Sequence, residues 1–97
     1  MKALAFTVAA SADLNKIWDY TETAWSLAQA RKYITEIRDV CRALAGGQKR
    51  GRTTSVRPGY LKYPCGSHVI YFRDLGDTLE IVRILHRAQD AERNLHE

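Results

Sequence analysis

GSHVIYFRDLGDTLEIVRILHRAQD, residues 66–90, is the stretch whose reading decides the fold. Residues 67–74 alternate, with His68, Ile70 and Phe72 on one side and Val69, Tyr71 and Arg73 on the other, as a strand requires. Gly76-Asp77 supplies a hairpin turn. Residues 79–85 (LEIVRIL) are nearly all apolar, which suits a central strand buried on both faces. Upstream, residues 56–63 read as an edge strand, because Pro58 and Gly59 would weaken a central one. Pro64, Cys65 and Gly66 then make a turn. Short connections join these three strands into an antiparallel meander. Beyond His86 a short helix is expected over about residues 90–95, with Leu95 as its one strong anchor.

The N-terminal half has the other period. Residues 3–8 (ALAFTV) predict a strand with Leu4, Phe6 and Val8 on one face. The short apolar run with one lysine flows into a helical pattern, so it reads as a strand rather than a secretory signal. Ser11 is the expected cap of the first helix, with Asp13 in its first turn favouring the dipole. Leu14, Ile17, Trp18, Thr21 and Trp25 follow at helical spacing. Ser26 and Gln29 have the capping-box spacing. Ala30, Tyr33, Ile34, Ile37, Cys41 and Leu44 mark one stripe, which Gly46-Gly47 ends. So tight a connection makes the helices an antiparallel hairpin. Trp18, Trp25, Tyr33 and Ile37 are expected in the core more than in an interface. Residues 47–55 (GQKRGRTTS) read as a polar, basic loop. The fold class is α+β: an N-terminal strand and a two-helix hairpin packed on a mainly antiparallel sheet, completed by a C-terminal meander and a short helix. One domain over residues 1–97 is expected. The sheet face away from the hairpin, carrying His68 or Tyr71, Arg83 and the tail, is the natural place for function.

The 97 residues leave room for one core, and 45% hydrophobic with 27% charged residues is an ordinary globular balance. No run approaches the roughly 18 apolar residues of a membrane span. The net charge of +4 is unevenly spread. Residues 40–73 hold seven cations (Arg42, Lys49, Arg50, Arg52, Arg57, Lys62 and Arg73) and no acid. Such a stretch draws nucleic acid or an acidic protein. Cys41 and Cys65 read as free thiols of a reducing cytosol, with Cys41 on a core stripe. His68, His86 and His96 lack metal-site spacing, and Gly46, Gly47 and Gly51 follow a helix, so neither a metal nor any other cofactor is expected. One catalytic option is a metal-free ribonuclease, with Lys62, His68, Arg83, His86 and Arg87 converging on a phosphate.

Taken together, the motifs resemble the ParE branch of the RelE/ParE superfamily of type II toxins. The resemblance runs nearly end to end: Phe6-Thr7, DLNKIWDYT at 13–21, Trp25 with Gln29-Ala30, Cys41 with Leu44-Ala45, Gly51-Arg52, and Arg57 with Gly59-Tyr60. It continues through GSHVIYFR at 66–73 and LEIVRILHRAQD at 79–90. It implies the fold read above and a toxin that poisons DNA gyrase, neutralised by a ParD-like antitoxin, with DNA met only through gyrase. The alternative that the superfamily offers is a RelE-type ribosome-dependent endoribonuclease. In that branch His68 matches a basic catalytic position and Arg87 a catalytic arginine. No tyrosine lies between Phe72 and Glu97, however, and His96 is the sole late acid/base candidate. The gyrase branch is therefore favoured, without catalytic residues. Arg87-Ala88-Gln89-Asp90 departs from the usual ParE pattern of a basic residue and Met before Asp. Arg57, Tyr60, His68, Arg73, Arg83, His86 and Arg87 are the expected surface for target and antitoxin.

Overall fold

In the computed structural model, which describes residues 2–95, the elements are β1 (Ala3–Phe6), α1 (Val8–Ala24), α2 (Leu27–Gly46), β2 (Arg52–Thr53), β3 (Leu61–Cys65), β4 (His68–Asp74), β5 (Thr78–His86) and α3 (Ala91–Asn94). The strands make one sheet in the order β1-β5-β4-β3-β2, with β1 parallel to β5 and every other pairing antiparallel. The expected α+β architecture is what forms, a helical hairpin on a sheet built mainly from a meander.

The α1–α2 hairpin packs on one sheet face. Ile37, Cys41, Ile70 and Ile81 there have no exposed surface. Burial pushes the Cys41 thiol up to about 12, so it stays a protonated core residue. The other face carries a smaller cluster of Tyr60, Tyr71, Val82, Leu85 and Leu95. Two buried faces explain the nearly unbroken apolar run of β5. A bulge adjusts it: Tyr71 pairs with Arg83 and Phe72 with Ile81, leaving Val82 unpaired. Ile81 and Ile84 consequently enter the main core, while Val82 and Leu85 enter the outer cluster.

Several local expectations are corrected. The first strand stops at Phe6, because Thr7 caps α1 in place of Ser11. Thr7 Oγ1 accepts from the Ala10 N–H at 3.0 Å and donates to the Val82 carbonyl at 2.7 Å, so one hydroxyl starts the helix and ties it to β5. Val8 is thereby turned into solvent, 90% exposed. At the second helix Ser26 does cap, accepting from Gln29 N–H at 3.0 Å. The reciprocal half of the box does not form, since Ser26 N–H donates to the Thr21 carbonyl. The glycine stop holds, with Gly47 at φ 84°.

The third strand is Leu61–Cys65 rather than 56–63. Pro64 lies within it, opposite Val69 on β4, and the turn begins only after Cys65. Part of the basic loop is also a strand, β2, which supplies the sheet's outer edge. The tail follows expectation: Asp90 caps α3 and Leu95 is 1% exposed. His96 lies outside the described residues.

Candidate functional site

At one end of the sheet the hairpin lifts away from β4 and β5 and leaves a cleft of about 890 Å³. Its walls include Lys16, Tyr20, Trp25, Gln29, Tyr33, His68, His86 and Gln89. Trp25 is not core, contrary to expectation: it sits where α1 ends and is 75% exposed, and Tyr20 is 71% exposed. Trp18, Tyr33 and Ile37 do join the main core, the first two only partly buried.

The floor is a knot around the Tyr33 hydroxyl. It donates to the Cys65 carbonyl at 3.1 Å, accepts from Ser67 N–H at 3.0 Å and lies 2.6 Å from His68 Nδ1. With its single proton on the carbonyl, the hydroxyl accepts from the Nδ1–H tautomer of His68. Gly66, at φ 58°, allows this approach: a Cβ there would fall 2.7 Å from the Tyr33 ring and hydroxyl. His68 also meets His86 edge-to-face at 5.4 Å. Burial first, and His86 second, lower the His68 pKa. Its imidazole is neutral near pH 7. His86 is exposed, and its Nδ1 accepts from Ala88 N–H at 3.1 Å.

The lowered His68 pKa sets a pH dependence. Below about pH 6.5 the unfolded chain takes up a proton that folded His68 resists. The stability contributed above that pH is lost as pH falls through the folded value. Between about pH 7.5 and about pH 5 the melting midpoint should fall more for the wild type than for His68→Gln. Equal acid sensitivity of the two proteins would rule out this role.

Arg83 is held by an ion pair that the sequence reading missed. Asp13, 7% exposed in its side chain, accepts from Arg83 Nε at 2.7 Å and Nη2 at 2.9 Å, and from the Ile84 N–H at 2.9 Å. The carboxylate takes a backbone donor of β5 beyond the last residue paired to β1. Its hydrogen bonds raise the Arg83 pKa further. Arg83 was expected to pair with Glu80 or Asp74. Instead Glu80 binds Arg73 at 2.6 Å and Asp74 binds Lys2 at 3.0 Å. One signal of the buried carboxylate was available: Asp13 falls on the Ala10–Leu14–Ile17–Thr21 stripe of α1.

The seven expected surface residues do not form one patch. Tyr60 lies on the outer face, with the Arg57 and Arg73 guanidinium carbons 5.7 and 5.6 Å from its ring centroid. Arg57 also donates to the Leu95 carbonyl at 3.4 Å. His68 and His86 line the cleft, and exposed Arg87 follows, its backbone N–H bonded to the Ser67 carbonyl. Arg83 links the two regions, donating to the Asn94 carbonyl of the tail at 2.7 Å. Tyr20, Trp25 and Gln29 join the cleft without having been singled out for a site. Among the described residues no group of three or more His, Cys, Asp or Glu could hold a metal, and no helix is long and apolar enough to cross a membrane.

The family model described as ParE toxin of type II toxin–antitoxin system, parDE, matches residues 4–91. Toxin ParE1 of Mycobacterium tuberculosis is 39% identical over 89 residues, spanning 90% of this chain and 91% of that protein. Toxin ParE1 of Caulobacter vibrioides is 34% identical over 96 residues, spanning 98% and 99%. Among solved structures, a chromosomal ParDE toxin–antitoxin system of P. aeruginosa superposes with a TM-score of 0.78 at 27% identity, covering 89% of this chain and 96% of that one. A RelBE2 toxin–antitoxin complex of M. tuberculosis shares the fold, with a TM-score of 0.65 at 21% identity over 89% of this chain and 98% of that one. With this fold and a family match that runs from β1 to the start of α3, the chain belongs to the ParE toxin family of type II toxin–antitoxin systems.

Proposed function

We propose that this toxin acts in the cytoplasm by binding DNA gyrase, without chemistry of its own, and is silenced by a ParD-like antitoxin. The observation that carries this reading is the commitment of the polar groups in the cleft. Phosphoryl chemistry needs an acid and a base matched to the working pH and cations free to meet developing charge. Here Tyr33 and His68 bind each other and the backbone, and Arg83 is neutralised by Asp13. These side chains hold shape.

The cleft suits an antitoxin arm, whose amphipathic helix would seat apolar side chains between Tyr20 and Trp25. His86 and Arg87 are the exposed groups of the proposed surface nearest that opening. Arg57, Tyr60, Arg73 and Arg83 contribute by fixing the outer face and the tail. Purified gyrase incubated with the toxin should accumulate cleaved DNA, and antitoxin added beforehand should prevent it. Arg87→Ala should weaken poisoning in a graded way, by about tenfold, as loss of one binding contact does. Unperturbed gyrase alongside truncated messenger RNA on ribosomes would refute the proposal.

A further inference from the structure

The cations of residues 40–73 are parted by the fold. Arg42 pairs with Asp39 on α2, Arg73 with Glu80, and Lys49 lies over the Tyr63 ring at 5.5 Å. Arg52 and Lys62 are treated differently. They face each other across the β2–β3 ladder, where opposed residues of antiparallel strands have Cα atoms about 4.5–5.5 Å apart. Lys62 in turn stands opposite Tyr71, a member of the outer cluster, so both cations project on the face away from the helices. Both are exposed, as is Arg50 just before them. The side chains of all three lack a hydrogen bond or ion pair among the described residues. Like charges placed directly opposite are unfavourable, and no acid between residues 40 and 73 relieves them.

We propose that this β2–β3 edge binds the phosphodiester backbone of duplex nucleic acid directly, without regard to sequence. A phosphate between Arg52 and Lys62 would turn their repulsion into shared attraction. The rest of the patch fits a backbone better than an acidic protein. Protein interfaces need a desolvated apolar centre. The exposed large hydrophobics of this molecule are Val8, Tyr20, Trp25, Leu27 and Leu75, and none belongs to β2, β3 or the segment between them. What accompanies the cations is Thr53 and Ser55, exposed hydroxyl residues of the type that contacts phosphates. The surface is distinct from the cleft proposed for the antitoxin arm.

Fluorescence anisotropy of the full chain with two labelled duplexes of unrelated sequence, without gyrase, tests the proposal. Equal affinity for both is expected. Log affinity should fall with log salt at a slope of about −3, since three cations displace condensed counterions. Arg52→Gln combined with Lys62→Gln should make the slope shallower by about two, with the circular dichroism spectrum and melting midpoint retained. Arg31→Gln with Lys32→Gln, which removes the same charge from α2, should leave the slope unchanged. The proposal is overturned if the Arg52/Lys62 variant keeps its slope, or if the α2 variant loses as much. It is also overturned if a polyglutamate peptide of equal charge binds as tightly as duplex, which would identify an acidic protein as the partner. Gyrase is absent from this measurement, so its failure and that of the gyrase reading are separately visible.

Discussion

Asp13→Ala should destabilise the protein by about 3–5 kcal/mol, the range for stripping one partner from a buried ion pair. The carboxylate is 7% exposed and Arg83 is 17% exposed. Its loss would leave two guanidinium donors and the Ile84 N–H without their acceptor. A domain of this size is typically stable by only about 5–15 kcal/mol. The melting midpoint should therefore drop by more than about 12 °C. Asp13→Ala with Arg83→Met should recover part of the loss, because no buried charge is then stranded. Urea denaturation of the two single variants and the double variant measures the coupling. A single-variant loss below about 1 kcal/mol would place the pair among ordinary surface ion pairs.

Phe72→Ala should cost about 3–5 kcal/mol. The ring is 2% exposed in the main core, and Gly51 lies against it so closely that a Cβ there would fall 2.4 Å from Cζ. Phe72 thus supports the backbone just before Arg52. Besides the cavity, its loss should loosen β2, a strand of two residues with few bonds of its own. Hydrogen exchange at the Arg52 and Thr53 amides should accelerate more than global destabilisation accounts for. Phe72→Leu fills most of the volume and should cost less. If the amides of β2 exchange only in step with the whole molecule, Phe72 is a core residue and no support for the edge.

The elements that could be read from the sequence are those whose signal is local and repeated. The α2 stripe has five turns of apolar spacing, a serine at its start and glycine at its end, and each of these survives in the fold. Residues 66–85 alternate or run apolar between turn residues and form the hairpin expected of them. Errors arose where a distant partner decides. Ser11 and Thr7 are both competent caps, and the Val82 carbonyl selects Thr7. Pro64 looked like a turn residue, yet it lies in a strand with its missing donor tolerated near the sheet edge. β2 has no periodicity and exists because β3 is there to pair with.

The candidate site divides in the same way. Its residue types and family resemblance were visible in the chain, as was the charge of residues 40–73. That the cations would separate was not, since Arg73 finds Glu80 seven residues later and Arg83 finds Asp13 seventy residues earlier. By itself the sequence determined the α+β class, the helical hairpin, the meander and the kinship with ParE toxins, because periodicity, capping and motif order are properties of neighbouring residues. Tertiary structure alone decided which charges are spent and which remain exposed. A charge is neutralised by whatever lies within a few ångströms of it, and that distance is set by the packing of α1 on β5 and of β2 on β3.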